Sequence, residues 1–119
     1  MRLRIFDISG LMILILFCST AYAKAHSVNL AWTASTDSGV SYNIYRFSGA
    51  CPTTGTTGFS KITTAPVNAN TFMDSVGAPG TYCYYATSVL NGAESVPSNL
   101  TSAVILPAAP TALSITGTN

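Results

Sequence analysis

Ala78-Pro79-Gly80-Thr81-Tyr82-Cys83-Tyr84-Tyr85-Ala86-Thr87-Ser88-Val89 is the stretch that decides the fold. Ala78-Pro79-Gly80 is a strong turn signal. The run behind it is the longest β-prone segment of the chain, rich in aromatic and β-branched side chains. Asn91-Gly92 follows as a tight-turn dipeptide. Pro97-Ser98 separates that turn from residues 99–106, an expected last strand bearing Leu100, Val104, Ile105 and Leu106.

Upstream, residues 27–34 read S-V-N-L-A-W-T-A. Val28, Leu30 and Trp32 alternate with Ser27, Asn29, Ala31 and Thr33, the period of a half-buried strand. Thr36-Asp37-Ser38-Gly39 is a turn cluster. Residues 40–47 alternate again, with Val40, Tyr42, Ile44 and Arg46 on one face and Ser41, Asn43, Tyr45 and Phe47 on the other. Residues 48–60 hold Gly49, Gly55, Gly58 and Pro52 and read as a flexible connection, without the Gly-x-x-x-x-Gly-Lys spacing of a phosphate cradle. Short strands are expected at 59–63 and at 71–74. No helical period follows residue 23. Short strands with turn signals between them predict an all-β sandwich of about seven antiparallel strands.

The first residues carry a different message. Arg2 and Arg4 precede an apolar run at 11–17, and Ala21-Tyr22-Ala23 is a small-x-small site. These are the three parts of a secretory signal peptide spanning 1–23, with the mature chain beginning at Lys24. The run is far shorter than the roughly 20 residues of a spanning helix. Asp7 and Ser9 bound it on one side and residues 18–20 on the other. An uncleaved anchor is therefore the weaker alternative, and no stable membrane span is expected after cleavage. Cys18 follows Phe17 rather than a small residue, which argues against lipidation there. The expected location is secreted, extracellular or periplasmic.

Beyond the leader the charges are Lys24, Arg46 and Lys61 against Asp37, Asp74 and Glu94, a formal balance of zero. With no basic stripe, nucleic acid is excluded as a partner. Cys51 and Cys83 remain as an even pair in an oxidising compartment, where a disulfide is the default. The alternatives are two free thiols or a metal site, for which two lone cysteines make a poor ligand set.

Val28-Asn29-Leu30-Ala31-Trp32-Thr33-Ala34, Tyr42-Asn43-Ile44-Tyr45-Arg46 and Pro79-Gly80-Thr81-Tyr82 leading to Tyr84 and Ala86 stand in a telling order. Together with Asn91-Gly92-Ala93-Glu94-Ser95 and Pro97-Ser98-Asn99, they resemble the B, C and F strands, FG loop and G-strand start of a fibronectin type III domain. They resemble in particular the single-domain versions common in secreted bacterial proteins. The resemblance covers about residues 27–106. It implies an immunoglobulin-like sandwich with A, B and E in one sheet and C, C′, F and G in the other. Trp32, Tyr42, Ile44, Tyr82 and Tyr84 would then form the structural core. Tyr82 would bond through its hydroxyl to a nearby loop backbone, and Cys83 would face outward on the second sheet, near Cys51. The domain would span 24–106, with a Pro-rich linker and tail at 107–119.

Two features depart from that pattern. Only residues 24–26 stand between the leader and the B-like segment, so the usual A strand is missing. The tail from Ala109 to Thr116 itself looks like an A strand, with Leu113 and Ile115 in alternation. Either residues 111–116 pair beside strand B, or the tail is loose or opens a further repeat.

No catalytic constellation is legible. His26 is the one histidine. Asp37, Asp74 and Glu94 fall in expected turns or strand ends, and no GxSxG or HExxH motif occurs. No cofactor or metal is expected. The resemblance implies a non-catalytic binding or spacer module that contacts a protein partner or mediates adhesion. The alternatives are a polysaccharide-binding module that uses the outward rings Tyr45, Phe47 and Tyr85, and the N-terminal fragment of a larger multi-repeat surface protein. Tyr45 and Tyr85 also read as a plain cross-strand pair. Asn99-Leu100-Thr101 is an N-glycosylation sequon, meaningful only in a host that modifies such sites.

Overall fold

A computed structural model describes residues 25–119, together with the backbone of two short strands nearer the N-terminus. Those are β1 (Leu3–Ile8) and β2 (Leu11–Leu16), paired as an antiparallel hairpin from Leu3↔Leu16 to Ile8↔Leu11. The expected cleavage site Ala21-Tyr22-Ala23 and Cys18 lie outside the described residues.

From residue 25 onward the chain is all-β. The strands are β3 (His26–Ala31), β4 (Ser41–Ser48), β5 (Ser60–Lys61), β6 (Thr71–Val76), β7 (Gly80–Leu90), β8 (Ala93–Glu94) and β9 (Thr101–Ile105). Every pairing is antiparallel. β3 pairs with β6, while β5, β4, β7 and β8 follow one another in a second sheet, with β9 also on β7. The two sheets form a sandwich. Alternation turns Val28 of β3 and Val76 of β6 toward Ile44, Tyr82 and Tyr84 of the second sheet, and these make the buried cluster. Leu30, Trp32, Ile62, Phe72, Ala103 and Ile105 pack around it. Trp32 is half-buried and meets Tyr42 edge-on, with ring centroids 5.3 Å apart.

The Asn91-Gly92 turn is built as the sequence predicts. Asn91 has φ 52° and Gly92 φ 80°, and Leu90 pairs directly with Ala93 across them. Two positive φ values in a two-residue loop are what matches the twist of the flanking strands. The last strand expected at 99–106 is β9, and an unforeseen two-residue strand, β8, precedes it, with 95–100 between them. Pro97 has no N–H to give the ladder. In the gap, the hydroxyls of Ser95 and Ser98 accept from the N–H groups of Ser88 and Ala86, at 3.0 and 2.9 Å. The N–H groups of the same serines donate to the Ser88 and Ala86 carbonyls, both at 2.8 Å. Two side chains thus stand in for missing strand carbonyls.

One further expectation is corrected, and of the two alternatives for the tail one is not adopted. The strand foreseen at 71–74 runs on to Val76, so Asp74 sits inside it and is buried rather than at a strand end. Residues 106–119 form no strand and pair with no other strand among the described residues, leaving Leu113 98% and Ile115 84% exposed. The connectivity supplies a reason. His26 pairs with Val76, residues 77–79 lead into Gly80, and Gly80 pairs with Ile105. The tail therefore departs near the start of β3 and, within its own sandwich, would run parallel to that strand. Parallel pairing is the less stable ladder, with slanted hydrogen bonds.

Candidate functional site

Three cross-strand pairs stand in a row on the outer face of the second sheet: Asn43 opposite Thr87, Tyr45 opposite Tyr85, and Phe47 opposite Cys83. They give the face a polar end, an aromatic middle and a covalently closed end. Cys83 is on the outer face, as the resemblance implies, yet it is fully buried. The cause is its disulfide to Cys51, with Cα atoms 5.0 Å apart, which draws the following loop across the sheet. That loop is seated on Phe47. Gly49, at φ 143°, passes so close that a Cβ there would stand 2.8 Å from the ring, so only glycine fits. Phe59 completes the seat, 5.5 Å from Phe47 and 5.0 Å from Tyr85 between centroids. The 48–60 segment is therefore a pinned cover, not the flexible connection its composition implied.

Tyr45 and Tyr85 stack face to face, with centroids 4.6 Å apart and planes 9° from parallel. Both rings and Phe47 are only partly exposed. The pair has spent one face of each ring on the other, the cross-strand arrangement rather than a flat platform of three open rings.

Glu94 closes the polar end. Its Oε1 accepts from Thr87 Oγ1 at 2.7 Å, Tyr45 Oη at 2.8 Å and Asn43 Nδ2 at 2.9 Å. Asn43 Oδ1 in turn accepts from Thr63 Oγ1, and Thr63 Oγ1 accepts from the Ile44 N–H. One polar chain thus joins the β5 side of the sheet to β8. The hydrogen bonds from Thr87, Asn43 and Tyr45 favour the ionised carboxylate and bring the Glu94 pKa down to about 2. Burial, and next the bond to Glu94, push the Tyr45 hydroxyl up to about 12.

The inner face carries a second charged group. Arg46 Nη1 donates to Asp74 Oδ1 at 3.0 Å and to Oδ2 at 2.8 Å, and the Tyr84 hydroxyl donates to Oδ2 at 2.8 Å. Arg46 also lies over the Tyr82 ring, 5.8 Å from its centroid. This cluster spans the two sheets. Burial, then the bond to Asp74, raise the Tyr84 pKa above its ordinary value. The Tyr82 hydroxyl donates to the Ala78 carbonyl at 2.7 Å, and the Tyr42 hydroxyl accepts from the Ser35 N–H at 2.8 Å. The polar ends of these core tyrosines are thus satisfied. Trp32 is the exception: its indole N–H is buried without a hydrogen-bond partner.

Trp32 stands where the sandwich is open. One cavity of about 190 Å³ and another of about 200 Å³ both reach it. Leu30 and Ala31 of β3 line the first, and Ser98 of the broken edge strand lines both. Sequence reasoning missed this opening, along with Phe59, the Glu94 cluster and the Asp74 cluster. The alternation had at least put Arg46 on the inward face, a sign that a buried acceptor must meet it.

Among the described residues no group of histidine, cysteine and carboxylate side chains is placed to hold a metal ion. No protein-family model matches the chain, and no curated protein matches it either.

Proposed function

We propose that this chain is an exported, non-catalytic immunoglobulin-like module of the fibronectin type III kind that works through protein contacts. The observation that carries the reading is the Tyr82 tie to the Ala78 carbonyl at the turn into β7. It stands within β3 and β6 facing β5, β4, β7, β8 and β9, the arrangement that the resemblance implies for B and E against C′, C, F and G. The carboxylates support the non-catalytic part. Asp74 has both oxygens occupied by Arg46 and Tyr84, and Glu94 is committed to three side-chain donors. These groups hold strands together.

Export is supported by the leader-like residues 1–23 and by the Cys51–Cys83 disulfide, a bond that persists outside the cytoplasm. No helix among the described residues is long and apolar enough to cross a membrane. The polysaccharide alternative draws less support, because Tyr45 and Tyr85 stack on one another.

The test is retention of beads carrying the folded, oxidised protein on surfaces coated with extracellular proteins or with polysaccharides. Saturable retention on protein, unchanged by Tyr85→Ala, is the expected result. Retention on polysaccharide alone, lost with Tyr85→Ala, refutes the reading in favour of a sugar-binding face.

A further inference from the structure

Among the described residues β3 pairs with β6 alone, so its other edge is free. The ladder says which groups lie there. The Trp32 N–H donates to the Asn70 carbonyl, which makes Trp32 and Asn70 a directly opposed, hydrogen-bonded pair. Leu30, Val28 and His26 share that parity and turn their backbone groups toward Phe72, Asp74 and Val76. Ser27, Asn29 and Ala31 therefore point N–H and C=O the other way. A row of unpaired backbone groups is a template for another strand.

Beside that edge lies the opening at Trp32, with its two cavities and its unpartnered indole N–H. The edge supplies backbone groups, and the opening supplies room for apolar side chains on one face of an added strand.

The chain carries a segment of that description. Residues 111–116 read T-A-L-S-I-T. Extended, they put Leu113 and Ile115 on one face about 6.8 Å apart, with Ser114 and Thr116 on the other. Both apolar side chains are almost wholly exposed, and no strand holds them.

Direction decides whose β3 they fit. A strand antiparallel to β3 must arrive at its Ala31 end and leave at its His26 end. The tail departs from its own sandwich near the His26 end, after Ile105, and so is aimed the wrong way for its own edge. It is aimed correctly for a second copy stacked end to end beyond that point. Residues 106–110, with Pro107 and Pro110, provide an extended spacer between the two.

We propose that residues 111–116 of one copy add as an antiparallel strand to the free edge of β3 in the next, seating Leu113 and Ile115 in the opening beside Trp32. The inference rests on the reading of the chain as a module that works by protein contacts, and it names a second copy as the partner. This is strand addition, in which main-chain bonds give affinity and side-chain pockets give specificity. Because the contact is head-to-tail, it forms rows of copies rather than a closed pair.

The experiment has two arms. In the first, the purified oxidised protein is followed by sedimentation velocity over a hundredfold concentration range. Species larger than the monomer are expected to grow with concentration. Leu113→Asp/Ile115→Asp and, separately, Ala31→Pro should each leave only monomer. Proline at 31 removes an N–H that points to the free edge and not to β6, so the fold is kept, which circular dichroism checks. In the second arm, a synthetic peptide of residues 107–119 is added to a variant lacking those residues. Trp32 is the sole tryptophan, so a saturable shift of its emission reports filling of the opening. The same peptide carrying Leu113→Asp and Ile115→Asp should give none.

A monomer at every concentration with no emission shift overturns the proposal, as do larger species that survive Leu113→Asp/Ile115→Asp. Bead retention by a protein that never self-associates would overturn this inference and leave the module reading standing. Tail-dependent rows without retention on any surface would uphold this inference and refute only the expectation that the module also holds other extracellular proteins.

Discussion

Replacing Asp74 by alanine removes the acceptor at the centre of the inner charged cluster. Two donors lose their partner. Tyr84 is 1% exposed, so its hydroxyl has no route to water, and such an orphan costs about 1–3 kcal/mol. The Arg46 guanidinium loses both its bonds, but its side chain is 30% exposed and recovers part of its hydration. Its loss therefore sits below the about 3–5 kcal/mol of a fully buried ion pair broken on one side. Together with the cavity left by the carboxyl, we expect Asp74→Ala to cost about 3–4 kcal/mol. For a domain of this size that lowers Tm by roughly 12–30 °C. Urea unfolding of the oxidised protein measures it, with an unchanged m-value as the check that both end states are comparable. The same residue is then replaced on an Arg46→Met/Tyr84→Phe background, where no donor remains to be orphaned. There Asp74→Leu should be close to neutral or stabilising. A loss under about 1 kcal/mol for Asp74→Ala, or an equal loss on both backgrounds, would refute the reasoning that this carboxylate is held by the donors around it.

Reducing Cys51–Cys83 frees a loop with a sequence separation of 32, worth about 3–4 kcal/mol in the chain-entropy model. Cys51→Ser/Cys83→Ser should show that loss in denaturant melts and open the 49–59 segment to proteolysis. Tyr82→Phe removes the bond to Ala78 and should cost about 1–2 kcal/mol by the same assay. Glu94 ionises in the folded state near pH 2, below its ordinary 4.5. Its contribution is therefore present above pH 4.5 and fades as pH falls toward 2, so Glu94→Gln should flatten the stability profile across that window and leave the neutral limb parallel to wild type. At the alkaline end the sign reverses. Tyr45 is raised to about 12 from 10, so its contribution is intact below pH 10 and declines as pH climbs toward 12, a decline that Tyr45→Phe should reduce.

The alternating segments were legible because a strand exposes its two faces to different surroundings, and Val28, Leu30, Ile44, Tyr82 and Tyr84 carry that difference in their side chains. The Asn91-Gly92 turn was legible because few dipeptides accept two positive φ values in a row. The bond between Cys51 and Cys83 was legible because no other cysteine lies beyond the leader-like segment. Periodicity reports which face a residue takes, but not what lies over that face. Alternation put Cys83 outward. Only the path of the pinned loop over Phe47 decided that outward here means buried. Likewise alternation put Arg46 inward, but its partner Asp74 is 28 residues away on the opposite sheet. That meeting depends on how the two sheets align, and the same packing leaves the edge of β3 open beside Trp32, whereas Glu94 finds its three donors within one sheet, through the pairing of β4, β7 and β8. Local sequence set the strands, their faces and their turns, because these depend on neighbours in the chain. The clusters and the open edge arise from contacts between segments far apart in sequence, and those exist only once the sheets have packed.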